Sequence, residues 1–254
     1  MGRRLGPGSS SLAGLRWLAS VGPASIEAWA VAMGWRRTTV YSHAARLVAA
    51  GWAEIQPMTH GDGSLIYPTK VGVEKSRVKA APLAAAPAPT TWAHCEACAW
   101  TAAWLTARGR MMVGPRELLF GTEWLAEVQW IERHGVRQRG HRPDLIGGVS
   151  AGGPLLPIEV ELAAKSTQRL RAILGLHAAW ITASKARAVI YVCATEQVAD
   201  RVAHEARSVG LSSEHTTLRI ELLNTIRTAA INARRGEQAD VSEGEVPAAG
   251  RVRC

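Results

Sequence analysis

The sequence predicts an α/β protein built in two parts. Three short helices followed by two extended runs occupy residues 11 to 79, and a helix, strands, helix, strand order starts at Trp92. Between them lies AAPLAAAPAPTT, residues 80 to 91, whose prolines disfavour a stable helix and suggest an interdomain linker.

Composition narrows the class before any motif does. A chain of 254 residues that is 47% hydrophobic can fill one large core or two small ones. The formal charge is +9, and residues 1 to 80 hold ten Lys or Arg against four Asp or Glu, a net +6 in the first third. So basic an end favours a polyanionic partner, with double-stranded DNA the first candidate. Arg16 interrupts the apolar part of MGRRLGPGSSSLAGLRWLAS, no stretch approaches a membrane span, and Gly6 stands where myristoylation requires Ser or Thr. The expectation is an intracellular, cytoplasmic protein with no membrane partner, and a homodimer stays open. Cys95, Cys98, Cys193 and Cys254 are too few for a disulfide scaffold. His94, Cys95 and Cys98 suggest zinc, but a closed site needs four ligands, so helical core thiols are expected instead.

Helix signals run in order through the first part. Ser11 is placed to cap a helix over 12–19, GPAS precedes a second over 26–33, and Gly34 breaks the chain before a third from about Thr38 to Ala50, ended by Gly51. WAEIQPMTH and SLIYPT are two extended runs joined at Asp62-Gly63, and Thr69 caps a closing helix to about Lys79. This pattern resembles the bacterial winged-helix DNA-binding domains, with the hairpin as the wing. On a wheel at about 100° per residue, Val40, Ala44, Leu47 and Val48 share a core arc. Thr38, Thr39, Ser42, His43 and Arg46 fall opposite, suited to a major groove, and Arg36 and Arg37 in the preceding turn suit phosphates. A solvated face or a protein-contact surface is the alternative.

In the second part the pattern predicts a helix over 92–107, an extended segment near Met111, a helix over 122–134 and then two strands within HRPDLIGGVSAGGPLLPIEVELAAKS, residues 141 to 166. A helix over 165–183, the strand AVIYVCA, a helix after Thr195 and a strand in TTLRIELL follow. Residues 233 to 254 are polar with scattered Gly and Pro, and disorder is expected there.

The two strands carry the chemistry. With a turn over 150–154, Asp144 falls opposite about residue 160, beside Glu159 and Glu161, which share a face by alternation. Three converging carboxylates repel one another unless a cation neutralises them, and Mg²⁺ or Mn²⁺ prefers such oxygen ligands. In phosphodiester hydrolysis the ion would polarise the phosphoryl group, while a nearby Lys such as Lys165 orients water or offsets developing charge. Glu117 could add a further carboxylate. Arg169 and Arg171 suit a DNA backbone or open solvent, and His141 and Arg142 either face a scissile phosphate or hold a turn.

Pro143-Asp144, the Glu159-x-Glu161 pair on the next strand and the helix–strand order resemble the PD-(D/E)XK nuclease superfamily. Together with the winged helix, the linker, His94, Pro115-Arg116-Glu117-Leu118 and HRPD followed by IEVELAAKS, they make the chain similar, over about residues 11 to 225, to the replication-relaxation family of bacterial plasmids and mobile elements. The resemblance implies a restriction-endonuclease-like α/β domain with a mixed sheet over 92–225. It also implies Asp144, Glu159 and Glu161 as metal ligands, Lys165 as a catalytic cation, and metal-dependent cleavage or nicking of DNA in replication or mobilisation. Glu161 stands where the superfamily usually has Lys, so Lys165 would supply that charge from the following helix. The alternatives are a non-catalytic replication or mobilisation factor or transcription regulator that retains the fold, and a basic module for acidic protein partners.

Overall fold

Side-chain caps start two of the first four helices. In the computed structural model, which describes residues 7–58, 63–83, 86–132, 135–148, 154–215 and 217–235, Ser25 accepts from Ala28 N and Thr69 from Gly72 N. The elements are α1 (Ser9–Val21), β1 (Ala24–Ser25), α2 (Ile26–Ala32), α3 (Arg37–Ala49), β2 (Ala53–Pro57), β3 (Ser64–Pro68) and α4 (Lys70–Ser76). Gly34 and Gly51 take φ of 64° and 70°, left-handed turns that end α2 and α3 without a Cβ penalty. Strands β1, β3 and β2 form an antiparallel sheet in that order, with Ile55 opposite Ile66. Asp62 of the expected turn lies outside the described residues. The helix α1 begins before Ser11, which is buried inside it rather than capping it.

The second part continues as α5 (Pro89–Ala107), β4 (Met111–Val113), α6 (Pro115–Phe120), β5 (Ala126–Glu132), β6 (Gly135–His141), β7 (Leu145–Gly148) and β8 (Leu155–Glu161). It ends with α7 (Thr167–Thr182), β9 (Val189–Cys193), α8 (Glu196–Arg207), β10 (Leu218–Leu222) and α9 (Leu223–Arg235). A five-stranded sheet has the order β10-β9-β8-β7-β4, antiparallel from β4 to β8 and parallel from β8 to β10. The fold is therefore α/β with a mixed sheet. Every residue of β9 is buried, as expected for a strand covered on both faces. Ile158, Val160, Ile190 and Val192 pack with α5, while Tyr191 and Cys193 pack with Leu170 and Leu174 of α7 and Val198 and Val202 of α8.

Several elements differ from the sequence expectation, including α6 and β6, which it lacked. The helix expected over 122–134 is instead strand β5, paired with β6 so that Val128 lies opposite Arg139 and Trp130 opposite Arg137. Branched and aromatic side chains at 128, 130 and 131 suit a pleated surface, and Gly135 starts the return with φ of 117°. Helix α5 begins three residues early, since Pro89 occupies a first-turn position where its missing N–H costs nothing. Helix α9 extends to Arg235, and Ile226 and Ala230, four apart, bury one face of it.

The two parts share one core. Leu15, Leu18 and Trp29 join Trp100, Trp104 and Leu105 of α5 and Leu145 and Ile158 of the sheet in a single cluster. Trp17 Nε1 donates to Thr106 Oγ1 at 3.1 Å, and the Arg116 guanidinium donates to the carbonyls of Ala81 and Pro82. Among the described residues no helix is long and apolar enough to cross a membrane.

Candidate functional site

Strands β7 and β8 place the expected acids one register step from expectation, and among the described residues Asp144, Glu159 and Glu161 do not form one close set of ligand atoms. Leu145 pairs with Ile158, so Asp144 falls beside Glu159 rather than residue 160; the turn over 149–153 lies outside the described residues. Asp144 N donates to Ile158 O at 3.0 Å, and Asp144 Oδ2 accepts from Val160 N at 2.7 Å. The side chain thus extends the ladder past the strand end and is held by it. Its other oxygen, Oδ1, lies 3.1 Å from Nε2 of His94 on α5, and Cys98 Sγ is 3.6 Å from the same nitrogen. The Asp144 hydrogen bond raises the His94 pKa against the opposing effect of burial. Burial, reinforced by the nearby carboxylates, pushes the Cys98 thiol well up, so it stays neutral.

Glu159 is buried on the opposite side, toward α7. Its Oε1 lies 2.8 Å from His141 Nε2 and 3.0 Å from His177 Nε2. Burial alone would raise this carboxyl, but the hydrogen bonds from both imidazoles, and their charge, outweigh it and hold the pKa at about 2. Glu161 accepts a hydrogen bond from Lys165 Nζ. Burial is the main force pushing the Glu161 carboxyl up; Lys165 opposes it, and Glu159 and Asp144 add to it by repulsion. Lys165 precedes α7, whose N-cap is Ser166, and so lies in the connection rather than on the helix. The three carboxylates are coupled by charge, yet each has a basic partner of its own.

Two donor sets could hold a metal ion: His94, Cys98 and Asp144, and His141, Glu159 and His177, with the ligand atoms of each set within 4.8 Å of one another. Cys95 belongs to neither. His177 escaped the sequence reading, although a signal was there: it sits in the buried stripe Leu170, Ile173, Leu174, His177 of α7, where a titratable ring is unusual. Glu117 accepts from Ser20 Oγ and from Gly114 N, and serves as a helix cap rather than a member of either set. Arg171 pairs with Glu205, and Arg169 stacks over Trp130. A largely apolar cavity of about 420 Å³ opens over Asp144 and His94, bounded by Pro23, Arg116, Leu118 and Arg142.

On α3, Arg36, Arg37, Thr38, Ser42 and Arg46 are exposed and Thr39 is half-buried. His43 is not with them. It is buried, its Nδ1 lies 2.7 Å from Ser11 Oγ, and its ring stacks on Trp35 at 4.0 Å. The spacing explains this: Val40, His43, Ala44 and Leu47 are the i, i+3, i+4, i+7 stripe, while Val48 rotates out to 41% exposure. Burial, then the Arg46 charge, lowers the His43 pKa.

No family model matches the chain, and no curated protein matches it. Among solved structures, protein VC1899 from Vibrio cholerae is similar with a TM-score of 0.31 and 12% identity, over 89% of this chain and 50% of that one. The chain thus spans about half the length of that protein, and so distant a likeness carries no argument about fold or activity.

Proposed function

We propose that the chain binds double-stranded DNA through a winged helix-turn-helix in its first part and carries a PD-(D/E)XK-type site for metal-dependent cleavage or nicking of DNA in its second. An intracellular role in plasmid or mobile-element replication or mobilisation fits that pairing. The observation that carries it is Asp144 beside Glu159 on neighbouring antiparallel strands, with Glu161 two positions on and bonded to Lys165. Burial is the main force that pushes Glu161 up, and a divalent cation would relieve both that cost and the smaller repulsion from Glu159 and Asp144; carboxylate oxygens are the donors Mg²⁺ or Mn²⁺ prefers. Asp144, Glu159 and Glu161 would hold such an ion, which when bound polarises a phosphoryl oxygen and acidifies water.

The protein's own groups have separable tasks. His94, raised in pKa and half exposed beside Asp144, can hold a proton at Nε2 near the cavity mouth. Lys165 brings a positive charge to the β8 end without the superfamily's usual position at residue 161. Arg36, Arg37 and Arg46 are exposed cations at the start and in the last turns of α3, and the order α1-β1-α2-α3-β2-β3 matches what a winged helix would show. The test is conversion of supercoiled plasmid to nicked or linear form by the purified chain with Mg²⁺ or Mn²⁺, and its loss with a chelator. A second reading, a DNA-binding replication or regulatory factor that does not cut, is favoured by one observation: all three acids already have basic partners. Salt-sensitive duplex binding with intact plasmid at every metal concentration would establish that second reading instead.

A further inference from the structure

We propose that His141, Glu159 and His177 form a buried centre for a divalent transition-metal ion of the zinc–manganese class. It shares only Glu159 with the set proposed above and does not require DNA to be cut. The three residues come from separate elements: the end of β6, the middle of β8 and the buried stripe of α7. Side-chain exposure is 11% for His141, 3% for Glu159 and zero for His177. Placing two imidazoles and an ionised carboxylate out of water is costly unless they are jointly used.

Their arrangement is the first observation. Both Nε2 atoms converge on one carboxylate oxygen, Oε1, so that three ligand atoms surround a common point instead of spreading over both oxygens. The second is independent of it. The hydroxyl of Tyr191 is buried with no hydrogen-bond partner among the described residues, as is His177 Nδ1 on the far side of that ring from Nε2. Tyr191 lies opposite Glu159 in the β8–β9 register, and the His177 and Tyr191 rings are 6.2 Å apart. An ion at Nε2 leaves Nδ1 as it is, but the unpartnered Tyr191 hydroxyl on the strand beside Glu159 points to a further group in the site. An ion that keeps a coordinated water offers the Tyr191 hydroxyl what the side chains do not.

Donor chemistry selects the class of ion. Two imidazole nitrogens and one carboxylate suit Zn²⁺, Mn²⁺ or Co²⁺ and leave a coordination position open, whereas Mg²⁺ and Ca²⁺ favour sites built of oxygen. The neighbouring set of His94, Cys98 and Asp144 is the competing location, and it is more exposed, with the His94 side chain 47% accessible.

The chelator-stripped full chain, titrated with Co²⁺ as a visible-absorbing probe and then with Zn²⁺, tests this. One equivalent of Co²⁺ is expected, with ligand-field bands displaced by Zn²⁺, and affinity falling at least about 100-fold in His141→Ala and His177→Gln. Asp144→Asn and Cys98→Ser should keep it. A thermal melt of the unmutated chain should also move upward with Zn²⁺, a readout that needs no variant to fold. Absence of stoichiometric binding overturns the inference, as does binding that survives His141→Ala but is lost in Asp144→Asn or Cys98→Ser. Ion binding at these three residues without plasmid cleavage would overturn the cleavage reading alone; Mg²⁺-driven cleavage with no ion bound here would overturn this inference alone.

Discussion

Glu159 combines near-complete burial with a carboxyl held at about 2 by two imidazoles, and that combination has a pH signature. A folded-state pKa below the ordinary 4.5 contributes stability that is present above 4.5 and is lost as the pH falls toward 2. Glu159→Gln should therefore melt well below the unmutated chain at pH 6, and the gap should close between pH 4.5 and 2. A gap that stays constant with pH would mean that Glu159 is not ionised in the folded protein. Asp144, Glu159 and Glu161 were legible from alternation and a plausible turn. The one-step register error was not avoidable, because nothing in GVSAGGP fixes where the turn closes. His177 was hidden for a different reason: its partner Glu159 is 18 residues away and meets it only after α7 folds back on the sheet.

At the level of elements, α3 separates exposed residues that the proposed function would set against DNA from His43, which is buried. Arg37→Ala and Arg46→Ala should each weaken duplex binding and flatten the dependence of log affinity on log salt by about 0.9 per lost phosphate contact. His43→Ala should leave that slope unchanged. It should instead lower the melting temperature, since it removes the hydrogen bond to Ser11 and the stack on Trp35. Fluorescence anisotropy across a salt series distinguishes the two effects, and a slope change in His43→Ala with none in Arg37→Ala would reverse the assignment. The helices and hairpin of the first part were readable because caps and glycines punctuate them: Ser25, Gly34, Gly51 and Thr69. The pair β5–β6 was not, because Val128, Trp130 and Ile131 sit among Glu and Gln residues that suit a helix equally well, and pairing with β6 decides the matter. Helix α9 was overlooked although its signal was there: Leu223, Ile226 and Ala230 recur at helical spacing along one face.

For the whole molecule, the Ala- and Pro-rich stretch suggested two bodies joined by a linker, whereas one hydrophobic cluster runs from α1 and α2 through α5 to the five-stranded sheet. A shared core predicts shared unfolding. Leu105, buried in that cluster, should cost about 2–5 kcal/mol when changed to Ala, and should shift far-UV circular dichroism and tryptophan fluorescence together in a single denaturant transition. Two separated transitions, with only one moved by Leu105→Ala, would show that the halves fold independently. The shared core also bears on the proposed function, because α3 and the β7–β8 site are then parts of one packed body. The measurement that tests the central claim most directly is the single-turnover cleavage rate of an end-labelled duplex with Mg²⁺ or Mn²⁺, for the unmutated chain and for Asp144→Asn. The account predicts metal-dependent cleavage that falls at least about 100-fold in Asp144→Asn, with duplex affinity unchanged. Duplex bound but uncut by the unmutated chain, or cut equally fast by Asp144→Asn, would contradict it.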